Sequence, residues 1–231
     1  RSPADGPAAS AVAIPDAAEG WRRLSGNEVG WLLGWRAATR IRQAAETVAA
    51  VGGDVASSVT STLAASIVSS PALSAIAAEY HLNYVETLTG FKWVSRVADL
   101  AYGYEEALGY LVDPQKVRDK DGISAAVEFL SLVSELKASG KSFEDHELAF
   151  AAEFGAFASG QVSVRVQDLG DIPQIMSRIR QSPPTSLGTV AVSSIDDFEH
   201  GFGDFPPGDI LRIHLEDGSR VIVRPSGTEP K

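Results

Sequence analysis

Residues 61–69 read Ser61-Thr-Leu-Ala-Ala-Ser-Ile-Val-Ser69, and Ser70-Pro71 then leads into Ala-Leu-Ser-Ala-Ile-Ala-Ala-Glu-Tyr80. The first stretch is a short apolar run with polar flanks, which predicts a buried strand. Pro71 at a first helical position predicts a helix to about residue 80. Asn83-Tyr-Val-Glu-Thr87 reads as the next strand. Alternation of this kind implies a mainly parallel sheet sandwiched by helices.

Outward from this unit the pattern continues. Residues 90–101 read as another helix, followed by a glycine-punctuated segment, 102–111. Asp121 is placed to cap a strong helix from Gly122 to about Ala138, with Val127, Leu130, Val133 and Leu136 on one face. Ser142-Phe-Glu-Asp145 starts a further helix to about Phe154. Upstream, Ser25-Gly-Asn-Glu28 has capping-box spacing. Val29, Leu32 and Leu33 recur behind it at helical intervals, with Trp31 and Trp35 sharing part of that face, until Gly52-Gly53.

Residues 155–160 form the best candidate boundary. Beyond it Val162, Val164 and Val166 alternate with polar residues, which is strand periodicity. Residues 171–181 read as a helix that stops before Pro183-Pro184, and 189–193 as a strand. Pro206-Pro207-Gly208 precedes a hairpin in which Leu211, Ile213 and Leu215 share one face and Arg212 and His214 the other. Asp217-Gly218 supplies its turn. The expected fold is a mixed α/β sandwich domain followed by an incomplete α+β domain with an antiparallel sheet.

Composition narrows the function. The chain has 231 residues, with 20 basic against 30 acidic side chains and a net charge of −10. A nucleic-acid-gripping domain carries a basic footprint, so no nucleic-acid partner is expected. No run of about 18 apolar residues exists, so no membrane span is expected. Cysteine is absent, which excludes disulfides and thiolate chemistry. The four histidines, His81, His146, His200 and His214, have no metal-ligand spacing. The first ten residues hold no initiating Met and no apolar signal region, and the chain stops one residue past a Gly-Thr-Glu-Pro turn; it reads as a fragment.

Chemistry concentrates in Arg224-Pro-Ser-Gly-Thr-Glu-Pro-Lys231. Arginine holds phosphate by two parallel hydrogen bonds. Ser226 and Thr228 add hydroxyl donors. Gly227 lets backbone N–H groups approach an anion closely. Pro225 and Pro230 stiffen the loop, and Lys231 adds a charge. An Arg-Ser-Gly-Thr cluster alone reads first as an ordinary polar turn; the full eight-residue string is more specific.

The complete string resembles the phosphate-binding loop of the α-D-phosphohexomutases, the family containing phosphoglucomutase and phosphomannomutase. Other segments resemble that family in its order. Leu24-Ser-Gly-Asn-Glu28 is similar to the start of the third domain's first helix, and Ile67-Val-Ser-Ser70 to its first strand. Thr87-Leu-Thr-Gly-Phe-Lys-Trp93 is similar to its TGFK loop, Tyr104-Glu-Glu-Ala-Leu-Gly-Tyr110 to its sugar-binding loop, and Arg118-Asp-Lys-Asp-Gly122 to the segment opening its last long helix. The likeness runs from about Val12 to Lys231.

The resemblance implies a four-domain, cytoplasmic enzyme that interconverts hexose 1- and 6-phosphates through a phosphoserine and a glucose 1,6-bisphosphate-type intermediate. Mg²⁺ held by a DxDxDR loop in the second domain assists the transfer. It implies domains at 1–20 (the end of the second domain), 21–157 (sugar-binding, third) and 158–231 (phosphate-binding, fourth, truncated). Glu105 matches the glutamate that accepts hydrogen bonds from two neighbouring sugar hydroxyls; the plainer reading of Glu105-Glu106 is a solvated loop. Gly90 and Gly109 belong to the same substrate-binding set. Lys92 would either neutralise a phosphate or bind a hydroxyl. Arg224, Ser226, Gly227, Thr228 and Lys231 would hold the phosphate that is not being transferred. Ala107 stands where several subfamilies place a hydroxyl-bearing Ser. Asp121 reads as a helix cap, while for Asp119 and Lys120 a capping or solvated role is one of the open readings.

The departures are as informative. No phosphoserine motif is present, and Ala4-Asp-Gly-Pro-Ala-Ala-Ser10, where the metal loop belongs, offers only Asp5. The chain is therefore expected to hold no catalytic nucleophile and no metal, to lack the first and second domains, and to show no turnover by itself. The alternatives are a non-catalytic sugar-phosphate binder or a degenerate remnant. Glucose, mannose and pentose 1-phosphate all remain open as substrates.

Overall fold

The computed structural model describes residues 11–16, 18, 20–52 and 60–225. The chain divides into two compact units between Ser159 and Gly160.

The first unit opens with a two-stranded hairpin, β1 (Ala13–Asp16) and β2 (Gly20–Arg23), of which the second strand carries no apolar alternation. The helix α1 (Gly26–Ala50) follows from the capping box at Ser25 and Glu28, each side chain satisfying a backbone N–H of the other. Strand β3 (Thr62–Ser66) is buried at every position, as its unbroken apolar run requires. It is shorter than the predicted 61–69, because Ile67–Ser69 turn away. Then come α2 (Ala72–Glu79), β4 (Asn83–Thr87), the single turn α3 (Phe91–Val94), β5 (Leu100–Glu105), β6 (Gly109–Leu111), α4 (Gly122–Ala138) and α5 (Phe143–Phe154). The sheet order is β4-β3-β5-β6, with β3 parallel to both neighbours and β5–β6 antiparallel.

Two expectations fail here. The helix predicted over 90–101 is one turn long: Asp99 takes φ +51°, and Leu100 enters β5 opposite Thr62. In α4 the predicted inward face is mostly outside; Leu130 is 68% exposed and Val127 and Val133 are also exposed. Ala125, Phe129, Leu132 and Leu136 are buried instead. The helix is apolar nearly all round, so periodicity supports two stripes. With the Phe129–Leu132 stripe inward, Glu128 and Glu135 reach Arg36 on α1.

The main core joins Leu63 and Ala65 of β3 to α1, α2, α4 and α5, with Leu32, Leu33, Leu73 and Ile76 fully enclosed. The opposite sheet face is covered by a small group, Ala64, Phe91, Val94, Leu100 and Leu111. At about 25 cal/mol per Å² of apolar surface, the first face dominates the stability of the unit.

The second unit holds α6 (Asp171–Gln181) and the antiparallel sheet β10-β9-β8-β7, comprising β7 (Ser186–Leu187), β8 (Val190–Asp197), β9 (Leu211–Leu215) and β10 (Arg220–Val223). The β9–β10 hairpin turns at Asp217-Gly218, with Gly218 at φ +83°. Residues 162–166 are not a strand: Val162 is 90% exposed and the segment joins no sheet among the described residues. Alternation positions side chains, but a strand also needs a partner for its N–H and C=O groups.

Candidate functional site

In an open parallel sheet, ligands bind beyond the carboxyl ends of the strands, where the strand order reverses. Strand β3 leads through α2 to β4 on one side, while β5 lies on its other side. The crevice between the ends of β3 and β5 is therefore the expected location. Ser66 closes β3 and Glu105 closes β5.

Glu105 pairs with Gly109 at the mouth of the β5–β6 hairpin. Its Oε1 accepts the backbone N–H of Gly90 at 2.6 Å. Gly90 is the cap of α3 and sits at φ +111°, ψ 122°, a conformation that disfavours any side chain. Gly109 is buried; a Cβ there would lie 3.0 Å from the Phe91 ring and 3.3 Å from the Lys120 stem. The structure thus brings Glu105, Gly90 and Gly109 together and adds Lys120. The sequence hid Lys120 among three charged residues preceding a helix. Asp121 does cap α4, accepting from Ile123 N–H at 3.0 Å. Lys92 is exposed, with its ammonium 5.3 Å from the Trp93 ring centre.

Glu106 points elsewhere. Its Oε2 accepts from Ser66 Oγ (3.1 Å) and Ser69 Oγ (3.3 Å), and its backbone N–H donates to Ser69 Oγ (3.2 Å). Ser70 N–H and Tyr104 O–H both donate to Asn27 Oδ1 beneath the same loop.

A cleft of about 790 Å³ opens instead along the second half of α1, against α4 and α5, lined by Trp35, Arg36, Arg40, Leu136, Lys141 and His146 among others. Gly26, which abuts Glu106, lies roughly 25 Å along α1 from Gln43 in that cleft. Its two arginines are already engaged: Arg36 binds Glu128 and Glu135, and Arg40 binds Glu128. The carboxylates and glycines that converge are at the strand ends.

In the second unit Arg224 follows β10 and is exposed. Ser226, Gly227, Thr228 and Lys231 lie outside the described residues. On β9, Arg212 Nε and His214 Nε2 each lie 2.8 Å from Asp196 Oδ2. Burial alone would push Asp196 up, but these two partners bring its carboxyl below the usual range. Among the described residues no three His, Asp or Glu side chains converge to hold a metal ion, and no helix is long and apolar enough to cross a membrane.

The first unit is an α/β sandwich with a carboxylate at the end of a central strand, and the second is an α+β unit with an antiparallel sheet. Residues 26–150 match phosphoglucomutase/phosphomannomutase alpha/beta/alpha domain III, and residues 162–231 match the C-terminal domain of the same family. The chain belongs to the phosphoglucomutase/phosphomannomutase family. It is 49% identical over 221 residues to a probable phosphomannomutase of Haemophilus influenzae, covering 96% of this chain and 42% of that protein. It is 31% identical over 235 residues to the phosphopentomutase of Mus musculus, covering 91% and 37%. The open-form crystal structure of the Paramecium phosphoglucomutase pp63/parafusin shares the fold, with TM-score 0.57 and 20% identity over 89% of this chain and 35% of that one. The chain spans about two fifths of the length of the curated relatives it matches.

Proposed function

We propose that this chain is the sugar- and phosphate-reading portion of a phosphomutase that moves a phosphoryl group between positions 1 and 6 of mannose or glucose phosphate. The reaction proceeds through a phosphoserine enzyme and a bisphosphorylated sugar, in the cytoplasm. Residues 21–157 read the sugar, residues 158–231 grip phosphate, and residues 1–20 end a preceding domain. The observation that carries this reading is the Glu105 carboxylate at the end of β5, clamped by the Gly90 amide inside a chain matched by the family over both units.

The chain's own residues bind and orient. A carboxylate offers roughly four acceptor positions and no donor. The Gly90 bond uses one and aims the group, and two sugar hydroxyls take others. Gly90 and Gly109 leave the sugar room beside the backbone. Lys92 and Lys120 supply positive charge at the loop rim. Arg224 grips the phosphate that stays, with Ser226, Thr228, the Gly227 backbone and Lys231 completing the cradle. Such positioning is most of what phosphoryl transfer asks of a protein. Mg²⁺, which would neutralise charge on the transferring group, finds no set of ligands among the described residues, and this chain alone is expected to give no mutase turnover.

Calorimetric titration with glucose 1,6-bisphosphate tests the reading. Binding is expected, with affinity falling about tenfold or more in Arg224→Ala and in Glu105→Ala. A folded chain that binds no bisphosphate overturns it. A pentose phosphate is the second reading, favoured by the exposed Ala107, which offers no hydroxyl to a sugar, and by the likeness to phosphopentomutase. Tighter binding of ribose 1-phosphate than of glucose 1-phosphate would select it.

A further inference from the structure

We propose that Glu106 is a positioning residue of this loop: pinned by Ser66 and Ser69, it sets the direction in which its neighbour Glu105 presents a carboxylate. The inference rests on the reading of Glu105 as the sugar-binding carboxylate.

Three tethers converge on the loop 106–108. The first is the carboxylate. Ser66 and Ser69 are buried, and their hydroxyls lie 2.8 Å apart, with Glu106 Oε2 within reach of both. Two hydroxyl protons serve these three contacts, and one of them can satisfy the Ser–Ser contact. The other is then available to Glu106. The second tether is the backbone: Glu106 N–H donates to Ser69 Oγ, so side chain and main chain hold the same two serines. The third is Leu108, which sits at φ +62° with its side chain packed against the main core. A bulky residue in that conformation is held there by its surroundings.

Together these fix the peptide between Glu105 and Glu106 to the end of β3, the strand on the other side of the crevice. Glu105 is the last residue of β5 and Glu106 the first of the turn, and their carboxylates bond to different sides of the crevice. Anchoring Glu106 toward β3 leaves Glu105 directed toward Gly90 and α3, where its Oε1 is found. A loop ordered before ligand arrives loses less freedom on binding.

The test reads Glu105 without a sugar, through the Gly90 amide proton in an NMR spectrum of the 231-residue chain. Glu105→Gln marks the position of that signal when the carboxylate is lost. In Glu106→Ala, and separately in the Ser66→Ala/Ser69→Ala double variant, the Gly90 amide is expected to move toward the Glu105→Gln position. Affinity for glucose 1,6-bisphosphate should fall about tenfold. Glu106→Gln, which keeps an acceptor oxygen for the serines, should restore both. If Glu106→Ala does not fold, the serine variant decides, because it removes only hydroxyls. A Gly90 signal that stays put in the folded variants overturns the proposal, whether or not affinity changes. A Gly90 signal that moves in a chain whose wild type binds no bisphosphate supports the coupling and overturns instead the sugar-binding reading of Glu105.

Discussion

The N–H of Gly90 donates to Oε1 of Glu105 at 2.6 Å, joining the cap of α3 to the last residue of β5 across the mouth of the candidate site. Gly90 holds φ +111°, ψ 122°, yet a Cβ there would meet nothing nearer than 3.8 Å. The cost of a side chain is thus in the backbone and not in a clash. Gly90→Ala is expected to lose about 1–3 kcal/mol in urea unfolding and to weaken bisphosphate binding, because the amide then leaves Glu105. Unchanged stability and affinity would show that the α3 cap is not held in this conformation.

Gly26 is the opposite case. A Cβ on it would lie 1.7 Å from the carbonyl oxygen of Glu106, and both partners are backbone. No rotamer relieves that, so Gly26→Ala is expected to cost more than about 3 kcal/mol or to displace the loop 106–108. Gly140→Ala is the comparison: φ is +70° with open space around it, and about 1 kcal/mol is expected. Equal midpoints for the two variants would contradict the close approach of α1 to the hairpin.

Arg36 and Arg40 separate enclosed from exposed ion pairing on one helix. The Arg36 side chain is 12% exposed and binds both Glu128 and Glu135, while Arg40 is 60% exposed and binds Glu128. The bond from Arg36 holds Glu135 below the usual carboxylate range. Burial pushes Glu128 up, but its bonds from both arginines outweigh this and leave it lowered. Arg36→Met is expected to cost about 1–3 kcal/mol and Arg40→Met below about 0.5 kcal/mol, measured by chemical denaturation. The reverse ranking would mean that α1 and α4 do not meet through Arg36.

His146 gives the chain a mildly acidic sensitivity. Its ring stacks on Trp35 with centroids 4.5 Å apart, and burial, helped by Lys141, pulls it from an ordinary 6.5 down to about 4. The unfolded chain therefore takes up this proton before the folded one does. The stability contribution is complete above about pH 6.5 and is lost as pH falls from there toward 4. Melting temperatures of wild type should drop across that window more steeply than those of His146→Gln; parallel curves would place the ring in water.

Much of the fold was legible in neighbouring residues. Ser25 with Glu28, Ser142 with Asp145, and Asp121 are caps whose partners lie within three residues, and all three form. The strands 83–87 and 211–215 declare themselves by alternation or apolar run and find partners. Residues 162–166 show the limit of such reading, since the same alternation exists there without a ladder. The candidate site divides similarly. Glu105, Gly90 and Gly109 stand in motifs and do meet, whereas Lys120, whose role the sequence left open, reaches Gly109 only because β6 brings the chain back beside β5.

The sequence alone determined the α/β and α+β character, the helix starts, the β9–β10 turn and the family, because caps, turns and motifs depend on residues within a few positions of each other. Tertiary structure alone decided which stripe of α4 is buried, which side of β3 receives β5, and that Glu106 belongs to Ser66 and Ser69. Each of these depends on groups dozens of residues apart, whose meeting is set by sheet order and by the partners available for buried polar atoms.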